Sequence, residues 1–179
     1  MLKGDNVVLR PVRERDLAAF IGAHADIANR GEFFPLGVRP EPVLRRQYAE
    51  TGFWERDEGT LLIWDRQDVM VGHIEFFRPV DYWDAYELSY QLYGTEHSGH
   101  GYTTEAVRLL VDYLFAAKKV NRISLVIVPD NIASGRIAEK CGFQFEGTAR
   151  GAFFNRGRSV DVHIHALLRD DPRPWQSSV

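Results

Sequence analysis

The amino-acid sequence predicts a mixed α/β domain of the α+β type, an antiparallel-rich sheet with helices packed against it. Three observations predict it. Segments of strand and helix character follow one another as strand, two helices, three strands, helix, strand, helix, two strands, with short polar turns between neighbouring strands. Val107, Leu110, Val111, Leu114 and Phe115 fall at i, i+3, i+4, i+7 and i+8, one apolar stripe at helical period. Ile123 to Val128 is an apolar, β-branched run suited to a buried strand.

The elements read in order as follows. Asn6 to Val12 is a short strand, and Asp16, as N-cap or first-turn acid, precedes a helix carrying Leu17, Phe20 and Ile21. Pro40 and Pro42 start a second helix with Val43, Leu44, Tyr48 and Trp54. Leu61 to Trp64 and Val69 to Phe77 are strands around the polar turn Asp65-Arg66-Gln67-Asp68, and Tyr86 to Tyr93 is a third. The helix over Tyr102 to Lys119 is the clearest in the chain. After the strand Ile123–Val128, Pro129-Asp130-Asn131 turns the chain into a helix around Ser134 to Lys140, which Gly142 stops. Strands Phe143–Phe154 and Ser159–Leu168, joined by Asn155-Arg156-Gly157-Arg158, close a single domain over residues 1–170. Residues 171–179, with two prolines from Pro172 on and a polar end, read as a loose tail.

Composition narrows the function classes. The chain has 179 residues, 45% hydrophobic and 26% charged, with a net charge of −3. That is the balance of an ordinary globular domain, and it argues against general binding to nucleic acid or an anionic membrane. The single cysteine, Cys141, excludes an intramolecular disulfide and a multi-cysteine metal site. It falls on the apolar side of its helix, where a structural role outweighs a nucleophilic one. His163 and His165 share a strand face, but no third ligand follows at a recognised spacing, so no metal is expected. With no leader-like opening and no run of about 18 apolar residues, a cytoplasmic protein is expected.

The stretch most suggestive of chemistry is His97-Ser-Gly-His-Gly-Tyr-Thr-Thr-Glu-Ala106, between a strand and the best helix. Gly99 and Gly101 permit turn conformations closed to other residues. Amides of such a turn, continued into the first helical turn, form an anion cradle with the positive end of the helix dipole. By itself the pattern is equally that of a tight turn without a ligand. A dinucleotide loop fits poorly, because Thr104 stands where a third glycine would and the preceding strands are antiparallel.

The pieces LRPVRERDLAAF, ELSYQLY, GHGYTTEAVRLLVDYLF, ISLVIVPDN, IASGRIAEKCGF and FEGTARGAFFNRGRSVDVHIHALL, in this order and spacing, resemble the GNAT superfamily of N-acetyltransferases. Within it they resemble the ribosomal-protein alanine acetyltransferase (RimJ/RimL-like) branch, over about Val7 to Leu168. The resemblance implies a mostly antiparallel sheet splayed at a cofactor gap, with flanking helices. It implies acetyl-CoA as acyl donor, CoA as product, and an amine acceptor, either a peptide N-terminus or a small molecule. It also implies that such domains often form homodimers. The pantetheine arm would lie beside Gln91, Leu92 and Tyr93, and the pyrophosphate against Ser98, Gly99, His100, Gly101, Tyr102, Thr103 and Thr104. The family loop Gln/Arg-x-x-Gly-x-Gly/Ala is matched except at its first and last positions, Ser98 and Thr103. Asn131 matches the asparagine near pantetheine, and Ser134 the serine near the sulfur.

The implied reaction is direct attack of a neutral amine on the thioester. It needs a proton acceptor, an oxyanion donor and a partner for the thiolate. Glu87, the family-like acidic position, ranks first as base and Glu75 second, with His73 on Glu75's face. A backbone N–H from Leu92-Tyr93 is the expected oxyanion donor, and Ser134 the thiolate partner. Phe33, Phe34, Phe53, Trp54, Tyr82 and Trp83 fall in regions that, by the resemblance, border the acceptor site; packing or a dimer contact accounts for each equally well, with packing favoured for each singly and a pocket role expected of at least one. The alternative is a non-catalytic CoA-binding or sensor module on the same fold.

Overall fold

The computed structural model describes residues 1–176. Strands β1 (Leu2–Lys3), β2 (Val7–Pro11), β3 (Glu58–Asp65), β4 (Met70–Phe77), β5 (Ala85–Leu92), β6 (Arg122–Ile127), β7 (Gln144–Asn155) and β8 (Arg158–Leu168) form one sheet in the order β1-β2-β3-β4-β5-β6-β8-β7. All neighbours pair antiparallel except β5 and β6. A parallel pair needs a long crossover, which here contains α3 (Tyr102–Ala117).

Alternation along β3 assigns the helices to faces. Leu61 and Ile63 join the cluster that contains Val107, Leu110, Val111 and Leu114 of α3 and Ala138 of α4 (Ile132–Lys140). Leu62 points the other way, to Leu17, Phe20 and Ile21 of α1 (Glu14–Ala25) and Leu44 of α2 (Glu41–Thr51). The apolar stripe foreseen on α3 is therefore the centre of the larger core. Each of its five residues is at most 4% exposed.

One irregularity positions the site. β5 and β6 pair only at Ala85↔Arg122, Tyr86↔Ile123 and Glu87↔Ser124. Past Glu87 they separate, and Leu88 to Leu92 keep β4 as their only strand partner. The sheet is splayed as the resemblance implies.

Several expectations need correction. Of the two places expected for Asp16, it takes the first turn of α1, and Arg13 is the N-cap. Trp54 lies beyond α2, bridged to Gly59 and packed on Phe76 with ring centroids 5.2 Å apart. The segment from Pro172 is tied to α3 as far as Gln176. Asp112 accepts from Arg173 Nη1 at 2.9 Å, Trp175 Nε1 at 2.7 Å and Gln176 Nε2 at 2.7 Å. Composition suggested a tail because the acceptor that holds it is some sixty residues away. The remainder of that segment, 177–179, lies outside the described residues.

Candidate active site

The glycine loop behaves as its chemistry dictates. Gly99 (φ 82°) and Gly101 (φ 80°) are left-handed, and a Cβ at either would meet nothing within 4 Å. Glycine is required here for backbone conformation, and the space in front of it is open. Gly101 caps α3 without a side-chain bond, and the first helical bond runs from Glu105 N to Gly101 O at 3.1 Å. The amides of Tyr102, Thr103 and Thr104 are left without a backbone acceptor in the helix, at the positive end of its dipole.

These amides face a cleft of about 480 Å³. Ser98, Gly99, Gly101, Tyr102, Thr103 and Thr104 line one side, and Gln91, Leu92, Asn131 and Ser134 the other. Asn131 caps α4 by accepting from Ser134 N at 3.1 Å. The His100 ring stacks on Tyr102, centroids 5.4 Å apart, and the side chain of Tyr93, a residue expected to act through its backbone, turns into the core, its hydroxyl 2.7 Å from His73 Nδ1.

The strand edge is more specific than sequence allowed. Tyr93 N donates to Val71 O at 2.9 Å, so it is not free to serve as an oxyanion donor. By the alternation of an antiparallel ladder, the N–H groups of Leu88, Tyr90 and Leu92 point away from β4; that of Leu88 closes the last parallel pair with Ser124 of β6, and those of Tyr90 and Leu92 face the gap. Of the Leu92-Tyr93 pair, only Leu92 fits the expected role.

A second cleft, about 570 Å³, opens on the α1–α2 side of the sheet and meets the first at Tyr90, Asn131 and Ser134. The register sets Glu75 opposite Ser89, and Phe77 opposite Glu87, so both glutamates project from one face into this cleft. Burial pushes the Glu87 carboxyl up to about 7, with no charged group opposing or reinforcing it. Glu75 is also raised by burial, but Arg39, His24 and Arg30 act against that shift, as does a 3.3 Å bond from Thr60 Oγ1. His73 Nε2 lies 3.8 Å from Glu75 Oε1, and the fully buried imidazole is held down to about 3, hence neutral. The Tyr90 hydroxyl is buried beside Ser134 without a hydrogen-bond partner, and burial raises its pKa to about 12.

The loop between α1 and α2 roofs both clefts. Buried Arg30 donates to Pro35 O at 2.6 Å and His24 O at 2.8 Å, and Gln91 Nε2 donates to Asn29 O at 2.7 Å. From the β7–β8 turn, Asn155 Nδ2 donates to Glu32 O and Arg156 Nη2 to Gly31 O, each at 2.8 Å. This brings Phe33 and Phe34 into the lining. The other aromatics do not reach it. Phe53 is core against Phe20, Trp54 packs on Phe76, and Tyr82 and Trp83 are exposed.

Residues 6–144 match the family model of the acetyltransferase (GNAT) domain. The chain belongs to the GNAT acetyltransferase family. It is 30% identical over 184 residues to a probable N-acetyltransferase, YjcK, of Bacillus subtilis, covering 96% of this chain and 98% of that one. Its fold is similar to that of a spermidine N-acetyltransferase from Vibrio cholerae solved with CoA and spermine, at a TM-score of 0.79 and 21% identity, over 92% and 96% of the two chains. It is also similar to RimJ of Mycobacterium smegmatis solved with CoA-disulfide, at a TM-score of 0.74 and 22% identity, over 90% and 81%.

Acetyl-CoA is the acyl donor of this GNAT enzyme, and the first cleft suits a molecule with a pyrophosphate and an amide-bearing arm. Unpaired amides at a helix N-terminus take phosphates without bulk positive charge. An open strand edge takes an extended amide chain as another strand would. Residues that sequence reasoning missed are Tyr90, Arg30, Arg39, His24 and Asn155. Tyr90 was within reach: alternation past the splay point puts it next to the serine that the resemblance singled out. The other four depend on how distant loops meet.

Among the described residues no three His, Cys, Asp or Glu side chains gather as a metal site. Phe145 packs edge-on against both His163 and His165, at 5.0 and 5.5 Å between centroids. Cys141 is fully buried, and burial raises its thiol to about 11. No described helix is long and apolar enough to cross a membrane.

Proposed function

We propose that the chain transfers the acetyl group of acetyl-CoA to a primary amine, a peptide or protein N-terminus or a small molecule, by direct attack of the neutral nitrogen on the thioester. The observation that carries this is the meeting of the two clefts at Tyr90, Asn131 and Ser134, which joins an anion cradle to a carboxyl-bearing pocket. The order of its motifs and the likeness to RimJ support the ribosomal-protein alanine acetyltransferase branch.

The donor supplies the electrophilic carbonyl. The amides of Tyr102, Thr103 and Thr104 hold its pyrophosphate, with Ser98, Gly99 and Gly101 shaping the loop. The free edge of β5 and Asn131 orient its arm. Glu87 takes the ammonium proton: a carboxyl near 7 is half ionised at neutral pH, close to the optimum for a base. Glu75 ranks second because two guanidiniums already face it. The Leu92 amide points into the gap to meet the developing oxyanion. Ser134 and Tyr90 donate to the departing thiolate, and Tyr90's raised pKa keeps it a donor throughout.

Thermal unfolding with acetyl-CoA, CoA, NAD and ATP tests the donor. At about 100 times its Kd a ligand adds about 2.7 kcal/mol, or about 5–11 °C in Tm for a domain of this size. A rise with acetyl-CoA and CoA alone is expected. No rise with either in folded protein removes the reading.

A further inference from the structure

We propose that the second cleft accepts a monoamine carried on an apolar body, its far end neutral or anionic, and rejects polyamines. This rests on the acetyl-transfer reading above. Apolar surface dominates the lining: Phe33 and Phe34 from the roof, and Phe77, Val126, Phe153 and Val162 from the sheet. Such walls favour an aliphatic or aromatic group and leave a chain of ammonium groups without partners.

The charges in the cleft argue the same way. Its carboxyls are Glu75 and Glu87, and its guanidiniums are Arg30 and Arg39. Arg30 spends two of its nitrogens on the Pro35 and His24 carbonyls, and its charge stays at the wall. Arg39 is braced by Gln47 Oε1 at 3.0 Å, and both guanidiniums act on Glu75. Glu75 thus already faces two cationic groups of the protein, though burial still raises its pKa. Glu87 alone has no charged partner, which provides for one amine and no second. A triamine bound at Glu87 would bring its other ammonium groups against Arg39 and Arg30, and like charges brought together at an interface are excluded strongly. An anionic or carbonyl group at the far end meets Arg39 favourably.

The test is thiol release from acetyl-CoA with phenethylamine, phenylalaninamide, glycinamide and spermidine as acceptors. The two aromatic amines should exceed spermidine in kcat/KM by about 100-fold, and glycinamide by about 10-fold or more, the scale on which apolar pockets discriminate. Arg39→Glu, on the exposed rim, should raise the spermidine rate relative to phenethylamine by about 10-fold without changing the Tm rise with acetyl-CoA. Spermidine ahead of the aromatic amines, glycinamide equal to them, or an unchanged ratio in Arg39→Glu overturns the inference and leaves acetyl transfer standing. Turnover of none of the four amines, with the acetyl-CoA rise intact, overturns amine transfer and this inference with it.

Discussion

The two clefts are built from different materials. The first cleft, proposed for the donor, is largely backbone: left-handed glycines, three helix amides without a backbone acceptor and a strand edge released by the splay after Glu87. The second, proposed for the acceptor, is side chains brought from α1, the roof loop, β4, β5, β6 and the β7–β8 hairpin, several of them buried and titratable. Backbone recognition suits a ligand whose phosphates and amides look alike to any enzyme that uses it. Side-chain recognition can be altered one residue at a time, which suits the half of the reaction that varies among relatives on one scaffold.

Substitutions that separate the clefts test this difference, and the largest effect is expected in the donor cleft. Gly101→Glu puts a side chain and a negative charge into the cradle at φ 80° and should abolish the Tm rise with acetyl-CoA. An unchanged rise in folded protein would mean that the phosphates bind elsewhere.

Glu87→Gln should leave that rise intact and lower kcat by about 10²–10³-fold, the scale of one general base. In the parent enzyme the acidic limb of the kcat profile should rise through pH 7, and the variant should lack it. Stability carries a second signature. The folded value, about 7 against an ordinary 4.5, means that folded chain holds a proton the unfolded chain has released between those pH values. This carboxyl's contribution therefore falls as pH rises through that window. Glu87→Gln should unfold at a higher temperature than the parent above pH 7 and show a smaller decline; a lower Tm there would show that the ionised carboxylate is stabilised by contacts.

At the junction the effects should be smaller. Ser134→Ala and Tyr90→Phe should each reduce kcat by about 10-fold, consistent with one lost donor of about 1–1.5 kcal/mol, with little change in acetyl-CoA affinity. Full turnover in both would remove the thiolate role. Smallest of all should be the change in activity on Asp112→Ala, behind α3 and away from both clefts. It removes the acceptor of Arg173, Trp175 and Gln176, so Tm should fall by a few degrees while kcat/KM is unchanged. A drop in kcat/KM would connect the anchored C-terminal segment to the site.

Most of the architecture was legible because it repeats locally. The α3 stripe, the polar turns and the capping glycine each lie within a few residues of what they specify, and the glycine loop pointed to an anion cradle for the same reason. Illegible features joined residues far apart in the chain. Asp112 holds the C-terminal segment, and Asn155 holds Glu32. Tyr93 failed as an oxyanion donor through a bond to Val71, a matter of strand register.

By itself, then, the sequence determined the order of elements, the turn of the glycine loop and the glutamates worth testing, since periodicity, turn chemistry and motif spacing are short-range properties. Only the tertiary structure decided which glutamate stands free of charged neighbours, which amides face the gap, and what lines the acceptor cleft. Burial and charge compensation are sums over groups that meet only when the chain has folded. Burial pushes the Glu87 carboxyl up to about 7, and no local pattern in the sequence encodes that burial.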